Sequence, residues 1–192
     1  MTYLIVALLA YLLGSIPFGL VMARLFGLGD LRKVGSGNIG ATNVLRTGNK
    51  PAAFLTLVLD AGKGAAAVLI ARQFGGEDIA GLAGLFALLG HLYPIFLRFK
   101  GGKGMATFLG TLLALAFPVG LAACATWLAT ALAFRFSSLS ALVTAAASPV
   151  YAYFLYHKHG AILVLLMTAL VIYKHSANIK RLFNGTEPKI GK

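Results

Sequence analysis

Seven apolar runs, separated mostly by short gaps, dominate the chain: Thr2–Ala23, Ala52–Phe74, Ile79–Leu97, Met105–Phe117, Val119–Phe134, Leu139–Tyr156 and Ala161–Tyr173. In water such a chain has nowhere to hide its side chains. Its 192 residues are 59% hydrophobic and only 11% charged, against about 25% charged in an ordinary soluble domain. A protein of this size has too little interior to bury the excess. A disordered chain needs low hydrophobicity, and one cysteine excludes a disulfide scaffold. What remains is an all-α, polytopic integral membrane protein. The N-terminal run lacks a basic leader and an Ala-x-Ala exit, so it reads as a first span rather than a cleaved signal. A spanning helix needs about 17–25 residues. The fourth and seventh runs are shorter, so they must borrow flanking residues or lie tilted against neighbours.

Charge sets the number and direction of the spans. The net charge is +12. In a soluble protein that would suggest nucleic acid; here the basic residues fall in the gaps between apolar runs, which argues against a nucleic-acid partner. With a break at Pro118 there are seven spans. One side then holds Arg24, Arg32, Lys33, Arg46 and Lys50, then Arg98, Lys100 and Lys103, then Arg135, and finally Lys174, Lys180, Arg181, Lys189 and Lys192. The other side holds Arg72 and Lys158. The positive-inside rule puts the N-terminus outside and the C-terminus in the cytoplasm. A single kinked span over 108–134 would send the basic tail outward. No repeat or domain boundary interrupts the chain, so residues 1–192 read as one membrane domain.

Polar chemistry collects on the basic face. The first loop carries Gly35-Ser36-Gly37-Asn38-Ile39-Gly40-Ala41-Thr42-Asn43, with Arg46 one turn further on. Small residues let backbone N–H groups converge on an anion, and a helix beginning near Ala41 or Thr42 would add its N-terminus. The same composition suits a polar loop with turn glycines. It is not a Walker A loop, since no Gly-Lys-Ser/Thr closes it. A second loop, Gly101-Gly102-Lys103-Gly104, opens the fourth span and is either a second phosphate site or a turn lying on lipid headgroups. In the third segment His175 and Asn178 share a helix face at i, i+3. They can donate to a phosphate or position a hydroxyl; a basic helix end at the interface is the plainer reading. Ser140 lies near the same face.

Other polar groups are expected to be structural. Asp60 and Lys63, at i, i+3 within the second span, read as an ion pair facing the bundle interior. His91 precedes Leu-Tyr-Pro, a bend, and is either packed there or part of a site. Cys124 has no basic neighbour and should be inert. No cluster of carboxylates and histidines has metal-ligand spacing, so neither a metal nor another cofactor is expected.

The motifs Ser36-Gly37-Asn38-Ile39-Gly40-Ala41-Thr42-Asn43, Gly101-Gly102-Lys103-Gly104-Met105-Ala106-Thr107 and His175…Asn178-Ile179…Arg181-Leu182…Gly185-Thr186-Glu187, in this order, strongly resemble one family. It is the bacterial acyl-phosphate:glycerol-3-phosphate acyltransferase family of the inner membrane. The resemblance covers nearly the whole chain, including Gly90-His91-Leu92-Tyr93-Pro94. One departure is Ser176, where the family usually has Arg after the motif histidine. The resemblance implies acyl transfer from acyl phosphate to the 1-hydroxyl of glycerol 3-phosphate, giving lysophosphatidate and phosphate, the first committed step of phospholipid synthesis. It implies a cytoplasmic-side site in which Ser36, Asn38, Thr42, Lys103, His175 and Asn178 act on the reaction. Gly35, Gly37, Gly40, Ala41, Asn43, Arg46, Gly101, Gly102, Gly104 and Ser140 then bind substrate. It further implies a monomer in the bilayer, with an acyl-phosphate-producing enzyme as functional partner.

The residues suit that chemistry. Phosphate is already a good leaving group, so no covalent nucleophile is required, and no convincing Cys–His or Ser–His pair is present. The donor's own phosphate can take the hydroxyl proton, leaving the protein to position and to stabilise charge. Two other classes compete. A transporter of phosphorylated anions would spread polar residues through both leaflets. A non-catalytic anchor for anionic lipid would need the charges but not the Ser-Gly-Asn-Ile-Gly-Ala-Thr-Asn arrangement.

Overall fold

The computed structural model describes residues 1–191; Lys192, counted above with the inside charges, lies outside them. Its α-helices are α1 (Thr2–Gly14), α2 (Phe18–Leu25), α3 (Ala41–Leu45), α4 (Lys50–Leu92), α5 (Met105–Leu115), α6 (Phe117–Phe134), α7 (Ser137–Leu155), α8 (Lys158–Lys174) and α9 (Ser176–Phe183). Each of the seven apolar runs is largely helical. By length and apolarity Thr2–Leu25, Lys50–Leu97, Phe117–Phe134 and Ser137–Leu155 are candidate membrane spans, and α8 with α9, bent by 60°, is a fifth. The surface is apolar where lipid would lie, with Leu4, Leu132 and Phe154 exposed by 75%, 73% and 76%.

Breaks fall where the backbone rules put them. Asn49 caps α4 by accepting the N–H of Ala52 at 2.9 Å, with Pro51 in the first turn. The 43 residues of α4 are not one rod: Gly75 and Gly76 leave helical geometry, and Gly76 has φ +68°. The two legs fold back on each other, bringing Ala67 and Ala71 against Ala83 and Ala87. Small residues let α1 lie on the second leg so closely that a Cβ at Gly14 or Gly90 would meet backbone. Between α5 and α6 the break is at Ala116 (φ −145°, ψ 95°), and Pro118 sits in the first turn of α6, where its missing N–H costs nothing.

Two helix defects are repaired by neighbours. Pro149 inside α7 removes the N–H that would reach the carbonyl of Ala145. Thr168 of α8 donates its hydroxyl to that carbonyl at 2.8 Å. The short α5 ends in carbonyls with no helical partner. The Arg72 guanidinium donates to Ala114 and Leu115 O at 2.9 and 3.0 Å, and Glu77 pairs with it at 2.7 Å. An eleven-residue helix is therefore finished by a side chain rather than by more residues.

The chain order places the starts of α4, α5 and α7 and the ends of α6 and α8 at one end of the bundle. The loop between α2 and α4, the 101–104 loop, α9 and the tail gather there.

Candidate active site

Asn43 organises the first loop. Its amide donates to Leu31 O (2.9 Å) and Val34 O (3.0 Å), and its Oδ1 accepts the N–H of Ser36 (3.2 Å) and faces Arg46 Nη1 (3.5 Å). Expected to bind substrate, Asn43 has its side chain committed to the loop, although it still borders the cavity. Gly35 (φ +51°) passes over this bracket; a Cβ there would lie 2.7 Å from Asn43 Oδ1 and 2.8 Å from Arg46 Cδ. The helix expected near Ala41 is α3. Among the described residues, no backbone or side-chain acceptor receives the N–H groups of residues 38–42. Thr42 Oγ1 lies 3.0 Å from Ser137 Oγ, which fastens the loop to α7.

On the other side the tail turns back. Ile190 N–H donates to Arg135 O at 2.7 Å, so the tail crosses the start of α7. It delivers Glu187, whose Oε1 accepts Ser138 Oγ and Asn178 Nδ2, both at 2.6 Å, and whose Oε2 accepts Arg181 Nε at 2.7 Å. Burial acts to raise the Glu187 pKa, but these three donors outweigh it and hold the carboxyl ionised. Asn178 is buried, and its Oδ1 has no partner.

Between these walls lies a cavity of about 260 Å³. Ser36, Asn38, Gly40, Ala41, Thr42, Asn43, Arg46, Lys103, Gly104, His175 and Asn178, all expected in the site, line it together. Gly35, Gly37, Gly101, Gly102 and Ser140 do not. Ser140 is fully buried and donates to Phe136 O at 2.9 Å. Gly101 and Gly102 serve the loop's packing instead. Ser176 is exposed, which puts the family's usual arginine on the outer surface of α9 rather than in the cavity.

Lys103 and Arg46 border the cavity, and neither pairs with a carboxylate among the described residues. Burial lowers the Lys103 pKa to about 8; the Glu187 carboxylate opposes it, and nearby Arg181 and Arg46 push the same way as burial. A phosphate would supply the missing countercharge. Burial likewise lowers His175 to about 4. Its Nδ1 lies 2.8 Å from Val171 O. A carbonyl only accepts, so Nδ1 carries the proton and Nε2 is left as an acceptor. The sequence suggested a donor; the neutral ring held this way offers a lone pair.

Sequence reasoning missed several lining residues. Ser137 and Ser138 look like ordinary small residues at a helix start. Glu187 carried a signal, being the single acid after Asp78 in a basic chain. Met105, from the second motif, joins Leu57, Leu109, Cys124, Trp127 and Ala141, which no linear motif announces, in an apolar wall. Asp60 and His91 also border the cavity, so the expected Asp60–Lys63 pair (2.8 Å) reaches the site rather than only the bundle interior.

A basic, polar end joined to an apolar wall, within a bundle of apolar helices, suits an integral membrane protein. The comparisons agree. A family model described as "Glycerol-3-phosphate acyltransferase" matches residues 4–185. A glycerol-3-phosphate acyltransferase of Jannaschia sp. (strain CCS1) is 67% identical over 186 residues, covering 97% of this chain and 92% of the relative. One from Cereibacter sphaeroides (strain ATCC 17025) is 62% identical over 189 residues, covering 98% and 90%. A crystal structure of PlsY (YgiH), an integral membrane glycerol 3-phosphate acyltransferase, in its glycerol 3-phosphate form, superposes with TM-score 0.94 at 40% identity, covering all of this chain and 96% of that one. Its lysophosphatidic acid form gives 0.92 at 39% identity, with the same coverage. The fold and site are therefore those of an integral membrane acyltransferase. The chain belongs to the glycerol-3-phosphate acyltransferase family.

Proposed function

We propose that the cavity transfers a fatty acyl group from acyl phosphate to the 1-hydroxyl of glycerol 3-phosphate. The products are 1-acylglycerol 3-phosphate and inorganic phosphate, and the reaction opens phospholipid synthesis. The observation that carries this reading is the pairing, in one cavity, of two cations that have no carboxylate partner among the described residues, Arg46 and Lys103, with an apolar wall running from Leu57 to Trp127. The 38–42 amides, with Ser36 and Thr42 beside them, hold the donor's phosphate. Arg46 and Lys103 neutralise phosphate charge, and His175 Nε2 and Asn178 Oδ1 accept hydrogen bonds from glycerol 3-phosphate. The hydroxyl oxygen attacks the acyl carbonyl, the carbonyl-carbon–oxygen bond to phosphate breaks, and the leaving phosphate takes the proton. His175, with a pKa of about 4, is a weak base, which favours this assistance by the substrate over a protein base.

The protein would lie in the bacterial inner membrane as a monomer with seven spans. Each leg of α4 counts as one span, α5 is the fourth, the N-terminus is outside and the site faces the cytoplasm. The distribution of basic residues supports that direction. An acyl-phosphate-producing enzyme would supply the donor.

The test is turnover by purified protein. Acyl phosphate with glycerol 3-phosphate should give phosphate and lysophosphatidate in equal amounts, and acyl-CoA in its place should give none. Turnover with acyl-CoA alone would replace the donor. Cysteines placed at Gly48 and His159 should react with a membrane-impermeant thiol reagent from opposite faces of sealed vesicles; reaction from the same face would overturn the topology.

A further inference from the structure

The 101–104 loop is buried at Gly102 and Gly104 and half-buried at Gly101 and Lys103. It rests on His91, at the end of the second leg of α4. The N–H of Gly102 donates to the carbonyl of His91 at 3.1 Å. A Cβ on Gly102 would press into the imidazole, 3.1 Å from Cε1 and 3.2 Å from Cδ2, with Nε2 closer still. A Cβ on Gly101 would reach the carbonyls of His91 and Leu92. Gly102 is thus read by His91 alone, from its carbonyl and from its ring, while Gly101 is read by the His91 carbonyl together with Leu92 O and Pro94. The next residue is Lys103.

His91 is itself held. It is 6% exposed, and its Nδ1 lies 3.5 Å from Asp60 Oδ1 on the opposite leg of α4. Asp60 also receives the Lys63 ammonium at 2.8 Å, and that ammonium donates to Ile16 O at 2.8 Å in the break between α1 and α2. The Asp60 carbonyl accepts the hydroxyl of Thr107, in the first turn of α5, at 2.9 Å. The cluster therefore ties together the α1–α2 break, both legs of α4 and the start of α5. Lys103 lies between the two points at which this cluster grips the chain, Gly102 and Thr107.

We propose that His91 is a positioning residue for acyl transfer: it shapes the Gly101–Gly104 loop and so sets the place of the Lys103 ammonium in the cavity. This rests on the phosphate role given to Lys103 above. A charge that must meet a phosphate in the transition state is sensitive to displacement of about 1 Å, which can cost on the order of 100-fold in rate. The bundle itself is less sensitive, because Asp60 keeps its Lys63 partner when His91 is removed.

The test is a double-mutant cycle on kcat/KM with purified full-length protein. His91→Ala and Lys103→Ala should each lower kcat/KM. Together they should do no more harm than Lys103→Ala alone, since a displaced ammonium cannot be lost twice. Gly102→Ala presses on the same contact from the loop side. It should show the same masking by Lys103→Ala, and it carries the cycle if His91→Ala inserts poorly. Losses that multiply in the double variants would overturn the role of His91 and leave that of Lys103 standing. A Lys103→Ala variant with wild-type kcat/KM would overturn both.

Discussion

Asn178, which borders the cavity, gives its amide Nδ2 to Glu187 at 2.6 Å and keeps its Oδ1 buried and, among the described residues, unpartnered. An ionised carboxylate can only accept, so Glu187 decides which way the amide faces. Glu187→Gln makes both orientations possible and should lower kcat/KM roughly 10- to 100-fold, the worth of one hydrogen bond to a charged group. Asn178→Asp would set two carboxylates against each other and should cost more, together with a lower unfolding temperature. Steady-state kinetics and thermal unfolding in detergent measure both. A Glu187→Gln enzyme at the wild-type rate would mean that the orientation does not matter.

Lys103 should give the enzyme a basic limb. With its pKa at about 8 in the free protein, the side chain is an ammonium below that pH and a neutral amine above it. Binding of a phosphate compound should therefore weaken as pH rises through about 8, and Lys103→Arg should move the limb upward. Lys103→Ala should lose about 2–4 kcal/mol of transition-state stabilisation, roughly 30- to 1000-fold. The exposed Lys100 is the control. Equal losses at both lysines would reduce the loop to a general charge effect.

His175 should show no titration near neutrality, because its pKa of about 4 keeps the ring uncharged above about pH 5. What it contributes is the lone pair on Nε2. A glutamine amide reaches about as far as Nε2 and an asparagine amide about as far as Nδ1, so His175→Gln should outperform both His175→Asn and His175→Ala. A wild-type rate rising with a pKa near 6–7, lost in His175→Gln, would make His175 the general base instead.

The first loop should be sensitive to bulk rather than to charge. Gly40 lies among the free amides, and a Cβ there would sit 3.0 Å from Asn38 Nδ2. Gly40→Val should raise KM for acyl phosphate or abolish turnover while the protein still inserts. Unchanged kinetics would remove this loop from the site.

Thr168 should matter for stability alone. Thr168→Val keeps the shape but leaves the Ala145 carbonyl, already deprived of its helical donor by Pro149, without a partner. The expected cost is about 1–3 kcal/mol, read as a lower unfolding temperature with specific activity retained. An unchanged unfolding temperature would mean that the helix satisfies the carbonyl in another way.

How far the sequence reached depended on the range of the force involved. Apolar runs and most of their Gly and Pro breaks are local statements about backbone and lipid, so the helical course of the runs, the turn after Phe74 and the helix at Ala41 could be read directly, but not the break at 15–17 that splits the first run into α1 and α2. The three polar loops were legible because small residues and cations stand out between apolar runs. Side-chain commitments were not legible. Whether Asn43 faces substrate or its own loop is decided by the carbonyls of Leu31 and Val34. His175 Nε2 is left as an acceptor because Nδ1–H donates to Val171 O, one turn back. Glu187 and Ser138 are 49 residues apart and meet only when the tail crosses α7. The sequence by itself determined that this is a bundle of membrane helices with its polar, basic loops on one face, because burial and backbone geometry act within a few residues. Only the tertiary structure decided which polar atoms stay free for a substrate, because a hydrogen bond's partner is chosen by proximity in space, across legs and loops far apart in the chain.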